Sequence, residues 1–318
     1  MGDFTQVTLE EINGILSHYD LGKASYFVAT TSGISNSNYK VTLQNKENIL
    51  LKISNDKDYK QLLAEQNILH LLKEHRFPYS LEPFKGRNNK LVYQHANYNG
   101  VIFPWVDAEP PRDVTKIHTF QIGKSLATLH SLKICDSELK KIRSYELVGF
   151  GGKKLRNYIH QKKHLEDFEK TFKAIFPDEL SRIPINEFEQ GIIHGDLYAD
   201  NSLFKNNDLV TLVDFEQAGV GRYILDIGIS ISGSCLTNRK DNIDHQLLQS
   251  FLQGYESVRP LPPLEKPHLN DAILVGFFSI SLWRIKRFFD GNLDPSRKYN
   301  YRELLNLAIN FHNSLLLN

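Results

Sequence analysis

The spacing of hydrophobic and polar positions divides the chain into two textures. Up to about residue 103, apolar residues alternate with polar ones in short runs, the two-residue period of a pleated strand. Runs at 24–31, 38–43 and 48–53 read as strands, and the polar stretch 44–47 reads as the hairpin turn joining the last two. Thr8 and Glu11 have the spacing of a capping box and open a short amphipathic helix that ends near residue 18. A second helix is predicted over 58–75, closed by the approach of Pro78, and two further strands over 91–93 and 100–105. This order predicts a small antiparallel sheet with one helix packed on it.

Beyond Pro104 the apolar positions recur every three to four residues, the helical period, over 115–131, 155–176, 224–232, 245–257, 268–289 and 299–317. One strand-like island, 191–215, interrupts them. The Pro-containing segment 107–112 is a stiff connector. The expected organisation is α+β and bilobal: a sheet-based lobe at 1–103, a hinge at 104–108 and a larger, mostly helical lobe at 109–318. No internal repeat or low-complexity stretch is visible.

Composition narrows the function classes. Of 318 residues, 41% are hydrophobic and 24% charged, so a substantial core can be buried. The 38 basic and 37 acidic side chains leave a net charge of +1, without the basic excess on which nonspecific nucleic-acid binding depends. Two cysteines give no disulfide framework, and twelve histidines lie scattered without the spacing of a zinc site. The longest mostly apolar stretch, 272–283, falls short of the roughly 20 residues of a bilayer span. The N-terminal residues carry no basic, apolar leader, and Gln6 stands where a myristoylation signal has Ser or Thr. A cytoplasmic protein is expected, a monomer or homodimer, with neither membrane nor nucleic acid as partner.

The island carries the strongest chemical signal. Asp196 precedes Asn201 by five residues, and Asp214 follows Asp196 by eighteen. A phosphoryl-transfer site has this grammar: an Asp that accepts the acceptor's proton, an Asn that holds Mg²⁺, and a strand-end Asp that holds it too. The apolar runs 192–193 and 209–213 read as buried strands delivering His194, Asp196 and Asp214 to one cleft. Gly, Asp and Asn also favour ordinary turns, but three matched positions at these spacings, each after an apolar strand, point to chemistry. Hard oxygen ligands suit Mg²⁺, whose remaining positions go to phosphate and water.

The first lobe is then expected to clamp ATP. Lys52, on the strand 48–53, alternates out of the core toward the α- and β-phosphates, and Glu65 on the next helix is its candidate partner. In the loop between the first two strands, Ser35, Asn36, Ser37 and Asn38 offer donors for phosphate oxygens. The strand 101–103 and the hinge would present backbone groups to adenine. Residues 149–154 superficially resemble a phosphate loop but lack its terminal pattern, so a turn is expected there. His130 reads as a helix-end histidine with a structural hydrogen bond, and Asp226 as a helix cap that also braces the catalytic loop.

With these residues in hand, the chain resembles the aminoglycoside phosphotransferase/choline kinase-like superfamily of small-molecule kinases. The resemblance is carried by His194-Gly-Asp196, Asn201 and Asp214-Phe-Glu216. The segments 33–39, 104–115 and 254–261 and the sequence Arg287-Phe-Phe-Asp290 are most similar to the homoserine kinase of that fold. It implies a protein-kinase-like fold and ATP·Mg²⁺-dependent phosphorylation of a small alcohol. Asp196 would be the catalytic base, Asn201 and Asp214 the metal ligands and Lys52 the phosphate contact. Glu216, after Asp214-Phe215, is closer to the choline kinases.

L-homoserine is the expected acceptor, with Arg287 holding its carboxylate and Glu216 lining the substrate site. Arg222, Arg259 and Arg284 are the other arginines considered. Choline would instead need aromatic faces, available at Trp283, Phe288 and Tyr299, and an aminoglycoside would need an acidic patch. Ethanolamine is a further alternative. A kinase fold that binds nucleotide without transfer is the competing class, and the intact Lys52, Asp196, Asn201 and Asp214 speak against it. A protein kinase is not expected, since no Ala-Pro-Glu segment follows Asp214.

Overall fold

A computed structural model describes residues 5–30, 36–55, 57–142, 165–178, 180–291 and 294–317. The chain divides into two compact units, Met1–Ala108 and Glu109–Asn318. The expected turn at 149–154 and the first part of the helix predicted over 155–176 lie outside the described residues.

The first unit is built on a five-stranded antiparallel sheet. Its strands are β1 (Ala24–Ala29), β2 (Asn36–Leu43), β3 (Asn48–Ser54), β4 (Tyr93–His95) and β5 (Tyr98–Pro104), in the order β1-β2-β3-β5-β4. Both predicted helices are present, where one was expected to pack on the sheet. Helix α1 (Leu9–Leu16) opens with the capping box of Thr8 and Glu11 and buries Ile12, Ile15 and Leu16. These pack with Ile49, Leu51 and Ile53, the apolar positions of β3, in one core. Helix α2 (Tyr59–Glu74) starts where Asp58 caps the Gln61 amide at 2.8 Å and Gln61 returns the bond to Asp58 at 2.9 Å. The fourth strand begins two residues later than the alternation suggested, because the apolar Leu91 and Val92 pack as coil before pairing starts at Tyr93.

The second unit is mainly helical. It holds α3 (Lys116–His130), α4 (Asp136–Leu139), α5 (Glu166–Ile175), α6 (Tyr223–Ser234), α7 (His245–Glu256), α8 (Leu269–Arg284) and α9 (Tyr301–Leu316). Phe168 and Phe172 of α5, with Phe176, stack around Phe278 of α8 at ring distances of 5.2–6.1 Å. The apolar run 272–283 lies within α8 and is nearly all buried. No helix among the described residues is long and apolar enough to cross a membrane. The helix predicted over 268–289 is not continuous: α8 stops at Arg284, and Ile285–Asp290 winds on as a π-helical turn.

Two small antiparallel ribbons sit among these helices. Strand β6 (Gln190–Ile193) pairs with β9 (Gly219–Arg222), and β7 (Ser202–Lys205) with β8 (Asp208–Leu212). The β7–β8 turn is Asn206-Asn207, both at positive φ (52° and 67°), the conformation that Asn tolerates best after Gly. Strands β6 to β8 fall, to within a residue, in the predicted island 191–215, while β9 lies beyond it, and the ribbons flank the candidate residues.

Candidate active site

Strand β6 ends at Ile193, and the chain turns through His194 and Gly195 to Asp196. Gly195 sits at φ 79°, where a side chain would strain the backbone. The turn is held from below by the fully buried Asp226 of α6. Its Oδ2 accepts the His194 amide at 2.7 Å and its Oδ1 the Gly195 amide at 2.7 Å. Asp226 Oδ2 also accepts from His130 Nε2 at 3.0 Å, while His130 Nδ1 lies 2.8 Å from the hydroxyl of Tyr255. Asp226 therefore braces the loop as expected. It does not cap its helix, because it stands one turn inside α6, beyond the Arg222 N-cap. His130 closes α3 in the structural role the sequence suggested.

A second set of bonds ties this turn to the strand that leads to Asp214. His194 Nε2 donates to the Val213 carbonyl at 3.1 Å, and the imidazole packs on Phe215 at 4.3 Å. Burial holds His194 well below the usual histidine range, at about 4, so the ring is neutral. Asn201 links the same two segments. Its Nδ2 donates to the Asp196 carbonyl at 2.7 Å, and its own carbonyl accepts the Val213 amide at 2.9 Å. With Nδ2 committed, Oδ1 is the atom of Asn201 suited to a cation. Asp214 lies in the left-handed region (φ 63°, ψ 53°), uncommon for a residue with a side chain and characteristic of constrained functional positions.

Burial raises the Asp196 carboxyl well above the ordinary carboxylate range, and the negative charges of Asp214, Asp200, Glu216 and Asp226 raise it further. Such crowding is relieved by a cation. Among the described residues no group of three or more His, Cys, Asp and Glu is arranged to hold a metal by itself. One Asp and one Asn, with phosphate and water completing the shell, is nonetheless the donor set Mg²⁺ accepts, so these residues fit that ion.

In the first unit, Lys52 occupies the face of β3 opposite Ile49, Leu51 and Ile53, as the alternation required. It is buried rather than projecting into solvent, with its Nζ 3.8 Å from Glu65 Oε1. Lys57, which the sequence reading passed over, approaches the other oxygen of Glu65 to 3.1 Å. Its only sequence signal was a place one residue before the α2 cap. The expected loop donors sit differently. Asn36, Ser37 and Asn38 belong to β2, opposite Ser54, Ile53 and Lys52 of β3. The Ser37 hydroxyl is fully buried, accepting from the Thr5 amide and donating to Asn55, so it serves the sheet rather than a phosphate. Ser35 lies outside the described residues.

All four arginines considered for the acceptor make contacts within the fold. Arg222 bonds the Phe188 carbonyl, Arg259 pairs with Glu189 over the Tyr223 ring, and Arg284 bonds the Asn300 carbonyl and Glu303 at 2.8 and 3.0 Å. Arg287 lies on the π-helical turn, 5.2 Å above the ring of Trp283. Glu216 is buried in the short helical turn after Asp214.

Residues 27–261 match the model of the Phosphotransferase enzyme family (APH). The chain is 24% identical over 299 residues to the homoserine kinase of Janthinobacterium sp. (strain Marseille), covering 92% of this chain and 89% of that protein. It is 25% identical over 312 residues to the homoserine kinase of Neisseria meningitidis serogroup B, covering 91% and 92%. Among solved structures, spectinomycin phosphotransferase APH(9)-Ia with ADP and spectinomycin superposes with a TM-score of 0.68 at 13% identity, over 97% of this chain and 98% of that one. A microcompartment-associated aminopropanol kinase superposes with a TM-score of 0.63 at 16% identity, over 94% and 96%.

Proposed function

The chain belongs to the phosphotransferase enzyme family, and from that premise we propose that it transfers the γ-phosphate of ATP to the side-chain hydroxyl of L-homoserine. It is a small-molecule kinase, and the proposal concerns its acceptor and the residues that act. The observation that carries the residue assignment is the pinned turn at Asp196, with Asp226 holding its amides and Asn201 binding it to the strand before Asp214. A base fixed in this way loses little entropy when the reaction begins.

Asp196 orients the acceptor hydroxyl and takes its proton as the oxygen attacks the γ-phosphorus. The bond from that phosphorus to the β,γ-bridging oxygen breaks, and ADP carries away the electron pair. Asn201 and Asp214 would hold Mg²⁺, which when bound neutralises charge on the phosphate oxygens. Lys52, oriented by Glu65, neutralises the α- and β-phosphates. Positioning and fixed charge supply most of the acceleration.

Three features support an amino-acid acceptor. Relatives aligned over nine-tenths of the chain are named homoserine kinases. Arg287 supplies a planar cation for a carboxylate, and Glu216 a carboxylate for the ammonium. A quaternary ammonium fits less well, because the candidate aromatic faces are already covered. Arg287 lies over Trp283, Arg297 over Phe288 and Arg302 over Tyr299. The acids around Asp196 equally suit a plain amino alcohol such as ethanolamine, and Arg287 distinguishes the two.

ATP consumption should be measured with homoserine, ethanolamine, choline and an aminoglycoside, with product masses recorded. Homoserine is expected to be the preferred acceptor, and Arg287→Ala to raise its KM by at least about tenfold. Asp196→Asn should lower kcat by about 10²–10⁴. Turnover of another acceptor with none of homoserine would refute the substrate; full activity in Asp196→Asn would refute the base.

A further inference from the structure

The carboxylate of Glu65 is shared between two lysines. Its side chain is only 3% exposed, those of Lys52 and Lys57 11% and 15%. The two ion pairs are unequal. Lys57 Nζ donates to Oε2 at 3.1 Å, a full charge-assisted hydrogen bond, while Lys52 Nζ stands 3.8 Å from Oε1, beyond hydrogen-bonding reach. Each lysine thus addresses a different oxygen of one carboxylate.

Lys57 is itself well placed to act as an anchor. Its backbone amide donates to Ser54 Oγ at 3.0 Å, which ties it to the end of β3. The next residue, Asp58, caps α2, the helix that carries Glu65. Lys57 therefore spans the two elements whose relative placement sets the Lys52–Glu65 distance, since Lys52 lies on β3 and Glu65 on α2.

We propose that Lys57 is a positioning residue for nucleotide binding: it holds one oxygen of Glu65, so that Glu65 orients Lys52 toward the ATP phosphates without closing on it. Removing the Lys57 ammonium leaves Oε2 of a buried carboxylate unpaired, a costly arrangement. The carboxylate then turns both oxygens to Lys52, and Lys52 exchanges its reach toward phosphate for a tighter internal pair. This rests on the reading of Lys52 as the phosphate contact and adds to it a residue outside the Lys–Glu pair.

The test is direct titration of the full chain with ATP and Mg²⁺, with no acceptor present, so that it stands apart from the identity of the alcohol. Lys57→Met is expected to weaken ATP binding by about tenfold, the loss of one charge-assisted hydrogen bond, and Lys57→Arg to restore most of it. In turnover assays the Lys57→Met effect should fall on KM for ATP and leave kcat within about threefold. A double-mutant cycle with Glu65→Gln decides the route. If Lys57 acts through Glu65, adding Lys57→Met to Glu65→Gln changes ATP affinity no further. Additive losses would mean that Lys57 meets the phosphates itself, and the proposal falls. It falls too if folded Lys57→Met, checked by circular dichroism, binds ATP as wild type does, or if Lys57→Arg is as weak as Lys57→Met. Normal ATP titrations without transfer to any alcohol would instead overturn the acceptor assignment and leave the Lys57 result standing.

Discussion

The carboxylate of Asp226 accepts three hydrogen bonds in a fully buried position: two from the consecutive backbone amides of His194 and Gly195 and one from His130. A buried carboxylate is tolerated there because hydrogen-bond donors are aimed at it. Alone in the sequence, Asp226 was recognisable as a brace. Its partner His130, 96 residues earlier, could only be described as satisfied by something, since periodicity gives a face and not a neighbour. His194 yields a pH prediction. Its folded value of about 4 lies below its ordinary 6.5, so between those limits the unfolded chain binds a proton that the folded chain refuses. Stability from this group is present above pH 6.5 and is lost as pH falls toward 4. Relative to His194→Gln, which cannot titrate, the wild type should lose on the order of 3 kcal/mol across that window. Urea unfolding of both proteins at several pH values checks this, and parallel pH curves would contradict it.

At the scale of elements, helix positions follow from apolar spacing because tertiary contacts reinforce what the period already favours. Helix α2 starts at its capping box, and α7 starts where Asp244 caps the amides of Gln246 and Leu247. How closely two helices approach was not legible. Gly254 of α7 faces the Phe120 carbonyl of α3, and Gly123 of α3 faces the Phe251 carbonyl of α7, each with no room for a Cβ. This mutual contact brings backbone against backbone. Gly254→Ala improves helix propensity by about 1 kcal/mol, yet it should destabilise the protein by a net of about 1–3 kcal/mol because carbonyls cannot yield as side chains do. Thermal unfolding measures the sign directly, and a stabilised variant would show that the helices can slide apart. The π-helical turn at Ile285–Asp290 was likewise invisible, since its apolar residues fit an α-helical period equally well.

For the molecule as a whole, the two units hold different candidate residues: the Lys52–Glu65–Lys57 cluster at β3 and α2 in one, and Asp196, Asn201 and Asp214 beside the small ribbons in the other. A ligand that binds the folded chain alone stabilises it by mass action. ATP with Mg²⁺ at a hundredfold excess over Kd should therefore raise the unfolding free energy by about 2.7 kcal/mol. Asp214→Asn should remove the Mg²⁺-dependent part of the thermal shift and leave a smaller one with ATP alone. An Asp214→Asn protein with the full metal-dependent shift would exclude Asp214 as a ligand.

The sequence by itself determined most of the elements and the spacing of Asp196, Asn201 and Asp214 on which the proposed chemistry rests. Both are local properties: a repeat period follows from backbone geometry, and a motif keeps its spacing along the chain. It also determined that Lys52 faces away from the core of β3, because strand alternation admits one answer once Ile49, Leu51 and Ile53 are buried. Only the tertiary structure decided which groups meet across long separations. It made Ser37 part of the sheet rather than a phosphate loop, joined His130 to Asp226, and set Lys57 rather than Lys52 at hydrogen-bonding distance from Glu65. The physical reason is that a buried polar group must be satisfied by whatever the fold brings to it, and the linear order of residues does not say what that will be.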